Sequence, residues 1–487
     1  MRVWSQALKA RLALEMRAAL RASATLGASA TLGASAGLEI ALPFVRMLLL
    51  SRALSLGELG FASALATAYS LYDQITDMAL HRYVYAEKRA NLDTALAGAH
   101  GLLALRALLL AMGALAMAPL MASLFGLSGG AGDFAALAGP LLIRGFEHLA
   151  PKVAERDYRF GPQMRAGLCG AILSLLALTA SLALGRGHGA LTASLYGLAL
   201  GQTAASHVFA GAPYRLCLSG PAFAKALRFG APLMANGLGL AVAAQGDRVL
   251  VGALLGPEAL GLYAVAMLAV VVPITLVQRL MGALAGAALY NADEHQGRRG
   301  RIRLIARAAP AVAAFYACGA LLCANALITL VFGARFVLPP AALALLCASA
   351  LLRISRAEPF TSLLLLDGRT REAALGNLSA VASLVLSAGL MLARPNIESA
   401  LIGRLSGEAL ALVVTFALAR PLLGAAAGDY LRALALACAL TLSASALAGG
   451  LSAGLCAAFA GAGLLLAFRR GPVAAFLRAK APPGPSI

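Results

Sequence analysis

Apolar residues in this chain run in long blocks, broken by short polar and glycine- or proline-bearing intervals. A helix needs about 17–25 apolar residues to cross the hydrocarbon core of a bilayer. Fourteen stretches qualify: 27–51, 59–80, 96–122, 133–151, 166–185, 189–211, 231–254, 259–281, 308–332, 337–363, 373–393, 398–419, 431–449 and 452–468. The short alternating segments of a membrane β-barrel are absent. Helices are also the elements that satisfy their own backbone polar groups in lipid. The pattern predicts an all-α polytopic membrane protein.

Composition narrows the class further. Of 487 residues 61% are hydrophobic and 13% charged, with a mean hydropathy of +0.82. Soluble chains carry about 25% charge, so a water-soluble multidomain enzyme is excluded. The net charge of +19 raises the question of nucleic acid. The positions of the basic residues answer it. With the N-terminus inside, alternate loops and the two ends hold 28 of the 40 lysines and arginines, and the opposite loops hold four (Arg52, Arg186, Arg335 and Arg394). Such asymmetry is the topological signal of a membrane protein with cytoplasmic termini, and no nucleic-acid partner is implied. The seven cysteines show no metal spacing and read as small residues packed in helices. Residues 1–22, with Arg2, Lys9, Arg11, Arg17 and Arg21, read as a cytoplasmic amphipathic lead-in. The small-residue run SATLGASATLGA at 23–34 reads as close helix packing around Gly33 and Gly37.

The chain looks duplicated. LLLSRALSLGELGFASA (48–64) aligns without a gap on VLVGALLGPEALGLYAV (249–265), 201 residues later. PLMASLFG (119–126) resembles ALITLVFG (326–333) in the same way. The repeated helices run in the same direction, so the repeats are parallel, an arrangement used by transporters. The expected organisation is a lead-in at 1–22 and an N-lobe of six helices at 23–212. A cytoplasmic linker at 213–229 leads to a C-lobe of six helices at 230–422. Two further helices at 423–470 and a cytoplasmic tail at 471–487 complete it.

Charges inside the spans are costly, about 2.5–3.5 kcal/mol each on insertion scales, and their default reading is functional. Arg353 and Arg356 share a helix face in the tenth span, followed by Glu358 and Pro359, which suggest a local break and an internal ion pair. They line a cavity, or else the helix ends near 357 and they flank it. Arg144, with Glu147 three residues on, occupies the matching place in the fourth span. Arg46 beside Pro43, and Asp247–Arg248, fall at similar heights in the first and seventh spans, where snorkelling to the interface competes. Arg404 and Glu408 have the spacing of an intrahelical pair. Arg279 reads as a flank charge, and Arg106 is open between the two roles. Among the acids Asp73, Asp77, Glu39 and Asp247 are candidates for coupling to an ion gradient, with structural ion pairing as the competing reading. Neighbouring His81 and Arg82 could neutralise Asp77. No phosphate-binding loop, HExxH or GxSxG motif occurs, and neither a cofactor nor a metal is implied.

The segment ALRFGAPLMANGLGLAVAAQGDRVLVGALLGPEALGLYAVA (226–266) resembles the central signature of the polysaccharide (O-antigen-type) flippases. These belong to the multidrug/oligosaccharidyl-lipid/polysaccharide (MOP) exporter superfamily. The resemblance rests on Phe229-Gly-x-Pro232, Gly246-Asp247-Arg248 and Leu255-Gly-Pro-Glu-Ala-Leu-Gly-Leu-Tyr263. The turn at 48–64 is similar to the family's first turn but lacks its proline. The resemblance implies a bacterial inner-membrane flippase of two lobes. Its substrate would be an oligosaccharide linked to undecaprenyl pyrophosphate, moved by alternating access through a cationic cavity. Its partners would be membrane lipids and assembly proteins such as a polysaccharide polymerase. The family's cationic lumen maps by motif onto Arg248 alone; Arg46, Arg144, Arg353 and Arg356 join it by position. The alternatives are a peptidoglycan-precursor flippase or a multidrug/cation antiporter of the same superfamily. An antiporter should have acid-dominated lobes, whereas arginines outnumber acids here. A membrane polymerase or ligase needs a large outer loop, and the outer loops here are short.

Overall fold

The computed structural model describes residues 37–38, 41–127, 129–157, 159–290 and 295–448. The lead-in, Gly33, Glu39, the span at 452–468 and the tail lie outside them. Every regular element among the described residues is helical. After α1 (41–53) come α2 (Leu56–Ile75), α3 (Leu80–Ala86), α4 (Leu92–Leu124), α5 (Ala131–Ala136) and α6 (Ala138–Arg144). Then follow α7 (Ala150–Val153), α8 (Gly161–Ala183), α9 (Gly189–Val208), α10 (Gly220–Ala266), α11 (Val272–Tyr290) and α12 (His295–Val331). The series ends with α13 (Pro340–Leu366), α14 (Thr370–Leu378), α15 (Ala382–Ala393), α16 (Ile397–Leu423) and α17 (Ala426–Ala448).

Seven stretches among the described residues are long and apolar enough to cross a membrane. Several predicted spans are not single helices. The fourth is cut into α5 and α6 and ends before α7, consistent with Pro140 and Pro151 withholding helix N–H donors. The eleventh is cut into α14 and α15 by a 3₁₀ turn at Ser379–Val381. The seventh and eighth join as α10, which breaks at Gly256 (φ 84°, ψ 179°), a conformation open to glycine. A π-helical turn at Met267–Val271 follows. Conversely, the break expected at Pro359 does not occur, since α13 runs through it to Leu366. The apolar faces fit a lipid surround. Leu108, Leu109, Met112, Leu115 and Leu120 of α4 stand about half exposed, a face that water would not tolerate. The chain is a multi-pass membrane protein.

The described chain divides into two compact units. One takes residues up to Leu54 and Leu65–Ala241; the other takes Ser55–Ala64 and residues from Val242 on. The helices α2 and α10 are therefore each shared between units.

In the first unit, α8 and α9 pair through small residues. A Cβ added at Gly197 would stand 2.5 Å from the Leu173 carbonyl oxygen, and one at Gly201 2.8 Å from that of Cys169. Small residues let membrane helices approach this closely, and the Ser174 and Ser194 hydroxyls meet at 2.7 Å in the seam. A second core gathers Tyr83, Val84, Leu96, Ala99 and Leu102 around Ala226 from the start of α10.

In the second unit, α12, α13, α16 and α17 enclose Ile302, Ala306, Phe360, Leu363, Leu364 and Tyr430. The helix α17, which covers the thirteenth predicted span, contributes Tyr430, just ahead of that span, to the core. The unit also holds both repeated turns. Ser55 caps α2 reciprocally: its hydroxyl and N–H donate to Glu58 Oε2 at 2.8 and 3.0 Å, and the Glu58 N–H returns to the Ser55 hydroxyl. Gly60 then presses on Pro257, and Gly261 on Leu56. Each contact becomes the other when the 201-residue offset is applied.

Candidate functional site

In the first unit three helices converge on Asp73, near the end of α2. Arg144, at the end of α6, donates from Nη1 to Asp73 Oδ2 at 3.1 Å. Arg106, in mid-α4, donates from Nη2 to Asp73 Oδ1 at 3.0 Å and to the Asp73 carbonyl at 2.5 Å, and from Nε to Thr76 Oγ1 at 2.9 Å. A carboxylate between two guanidinium groups is a charge-assisted knot that fixes three helices at once. Glu147 is not engaged by Arg144 as a hydrogen-bonded neighbour. It pairs with Lys152 Nζ at 3.1 Å and accepts from Gln202 at 3.4 Å. Asp73 lies on α2 and Asp77 beyond its end, so the two acids, four residues apart in sequence, do not share a helix face. Asp77 Oδ1 accepts the Ala79 N–H at 2.9 Å, where Ala79 adopts a left-handed φ of 45°. The loop still brings both carboxylates to one cavity of about 220 Å³, lined also by Gln74, His81, Arg106, Arg144, Glu147 and Lys152. Its acids and its arginines and lysine balance, three against three. Arg46, in α1, is partly buried, and its Nη1 has no hydrogen-bond partner among the described residues.

In the second unit the centre is Asp247, in α10. Its Oδ2 accepts from Arg404 Nη1 at 2.5 Å and from the Tyr263 hydroxyl at 2.7 Å, and its Oδ1 accepts the Arg248 N–H at 2.8 Å. Arg248 extends to Gln245 Oε1 at 2.7 Å. The intrahelical pair expected between Arg404 and Glu408 does not form. Arg404 is taken by Asp247, and Glu408 by Arg356, whose Nε donates to Glu408 Oε2 at 2.8 Å and whose Nη1 donates to Asn377 Oδ1 at 2.9 Å. Spacing along α16 allowed the first pairing; partners on α10 and α13 outcompete it because both charges are buried. Arg353 lies in electrostatic reach of Glu408, Arg404, Arg356 and Asp247, with no hydrogen bond or ion pair among the described residues. Arg404 Nε is likewise buried and unpartnered among them. Among the described residues four arginines here face two acids, so this cluster carries a cationic surplus that the first does not.

Sequence reasoning missed Tyr263, Gln245, Asn377 and Thr76 as polar members. Tyr263 did carry a signal, as the last residue of the turn motif. Arg106, left open from sequence, is a principal partner of Asp73. Among the described residues no group of His, Cys, Asp and Glu is placed to hold a metal.

Outside the apolar spans, Lys225 of α10 forms an ion pair with Glu87, just after α3. That hydrogen bond holds the Glu87 carboxyl below its ordinary range and the Lys225 ammonium above its own.

A family model described as "Polysaccharide biosynthesis protein" matches residues 49–338, more than half of the chain. The chain belongs to the polysaccharide biosynthesis protein family. The match takes in both repeated turns, Asp73, Arg106, Arg144, Asp247, Arg248 and Tyr263. Among curated proteins none matches in sequence. Solved structures share the fold. One is the lipid II flippase MurJ in an inward closed conformation, with a TM-score of 0.66 at 10% identity, covering 90% of this chain and 99% of that one. Another is an inward-facing multidrug resistance MATE family transporter of the MOP superfamily, with a TM-score of 0.55 at 16% identity, covering 80% and 95%. A third is a MOP superfamily transporter from Pyrococcus furiosus, with a TM-score of 0.50 at 17% identity, covering 83% and 96%. The resemblance read from residues 226–266 is thereby upheld at the level of family and fold.

Proposed function

We propose that this protein is a flippase. Its cargo is an oligosaccharide linked to undecaprenyl pyrophosphate, carried across the bacterial inner membrane for surface polysaccharide synthesis, with both termini cytoplasmic. The observation that carries the reading is the arginine surplus around Asp247 in a chain of the polysaccharide biosynthesis family. A pyrophosphate carries several oxyanions, and guanidinium groups bind them bidentately. Arg353 has its donors available for this, whereas Arg356 and Arg404 already hold carboxylates. The glycan needs a wet polar cavity, and the isoprenoid tail remains in lipid. Cargo movement then follows alternating access. Asp73, Asp77 and Asp247 are the carboxylates on which ion coupling would act, and glycan-assembly proteins such as a polymerase would be the partners.

The test is Arg353→Ala in a strain whose own copy is deleted. Surface polysaccharide should disappear while membrane insertion is unchanged. Normal polymer with that variant would remove Arg353 from the mechanism. The deletion itself separates cargoes: a viable cell lacking polymer supports this reading, and lysis points to a peptidoglycan precursor. The likeness to the lipid II flippase, at 10% identity, establishes fold and does not favour that cargo.

A further inference from the structure

We propose that Tyr430, near the start of α17, is a positioning residue for the arginines of α13, an inference that rests on the cationic reading of that cluster. Pro359 lies four residues after Ser355 in α13. In an α-helix the N–H of residue i+4 donates to the carbonyl of residue i, and proline has no N–H. The Ser355 carbonyl therefore has no such donor in its own helix. Ser355 is fully buried, so water does not replace it. An unpaired buried carbonyl is costly. The missing donor comes from α17, whose Tyr430 hydroxyl donates to the Ser355 carbonyl at 3.1 Å.

The placement of the hydroxyl is itself fixed. The Tyr430 ring is fully buried, 4.9 Å from the Phe360 ring edge-on and 5.7 Å from the Phe416 ring in a stacked arrangement. Packing of three aromatic rings holds the hydroxyl where the proline leaves a gap. Ser355 sits between the two arginines in sequence, two residues after Arg353 and one before Arg356. Any local repair of an unpaired Ser355 carbonyl, by tightening or bending the turn, moves both guanidinium groups. Arg356 is held at Glu408 and Asn377, and Arg353 has no such anchor among the described residues. The helix α17 thus acts on the charge cluster through one hydrogen bond.

The test uses the full chain purified in detergent, with citronellyl pyrophosphate as a soluble isoprenyl pyrophosphate probe. Tyr430→Phe keeps the ring and removes the donor. It should bind the probe about five- to tenfold more weakly, the worth of one buried hydrogen bond. Adding Pro359→Ala returns an N–H opposite Ser355 and should recover most of that loss, a rescue that a purely packing role of Tyr430 would not produce. Amide hydrogen exchange across 350–358 gives a readout without ligand: faster in Tyr430→Phe, and slowed again in the double variant. Unchanged exchange in Tyr430→Phe, or no recovery on adding Pro359→Ala, overturns the positioning role. Failure of the unaltered protein to bind the probe, with the exchange pattern as expected, instead counts against the pyrophosphate reading and leaves the structural link established.

Discussion

Gly60 lies directly on the backbone of Pro257. A Cβ built at Gly60 would stand 1.7 Å from the Pro257 carbonyl oxygen, and one at Gly261 would stand 2.8 Å from that of Leu56. The two glycines are equivalent positions of the repeat, and so are Leu56 and Pro257. The two turns therefore meet through a reciprocal contact that admits no side chain on either side.

Gly60→Ala should be the more damaging of the two alanine variants, because its Cβ meets rigid backbone at the shorter distance. Overpacking of this kind costs about 1–3 kcal/mol. Thermal unfolding in detergent should show a lower midpoint for Gly60→Ala than for Gly261→Ala, and both below the unaltered protein. Equal midpoints for all three would mean that the turns separate readily.

Arg356 and Glu408 are each about nine-tenths buried and 2.8 Å apart. Removing one partner leaves a buried charge alone, a loss of about 3–5 kcal/mol. Arg356→Met should therefore unfold at markedly lower temperature, and Arg356→Met with Glu408→Leu should regain much of the loss. Surface polysaccharide measured for the double variant separates a structural pair from a substrate ligand: normal polymer assigns the pair to the fold.

Asp73→Asn keeps the shape of the first knot and removes its negative charge, leaving Arg106 and Arg144 facing one another across a neutral amide. Two like charges then repel in a confined site. The expected outcome is loss of surface polysaccharide, partly restored by adding Arg106→Gln. Wild-type polymer from Asp73→Asn alone would exclude a role for that charge.

The ion pair of Glu87 and Lys225 should show in the pH dependence of stability. The Glu87 carboxyl titrates below its ordinary range in the folded chain, so it contributes stability above that range and loses it as the pH falls through the folded value. The Lys225 ammonium titrates above its ordinary range, so its contribution is present at lower pH and is lost as the pH rises through the folded value. Glu87→Gln should flatten both limbs of the unfolding-midpoint profile, whereas Lys225→Met should flatten the alkaline limb and only weaken the acid one, because the Lys88 N–H and Asn91 still favour the Glu87 carboxylate. An unaltered acid limb in Glu87→Gln would assign that limb to other carboxylates.

The sequence by itself determined the class, the repeat and the family. Apolar run length does not depend on tertiary contacts, because a helix in lipid must satisfy its own backbone whatever its neighbours are. The 201-residue offset likewise lies in the chain, and it predicted which turn residues would be equivalent. Pairing partners were decided by tertiary structure alone. Arg404 and Glu408 stand one turn apart on α16, yet each is claimed by a charge on another helix, at Asp247 and Arg356. Asp73 draws Arg106 from 33 residues away and Arg144 from 71. A buried charge takes the partner that packing brings to it, and sequence spacing reports only neighbours on the same helix. Pro359 shows both halves together. The missing N–H is written in the sequence, but the hydroxyl that replaces it comes from Tyr430, brought there by the packing of α17 on α13.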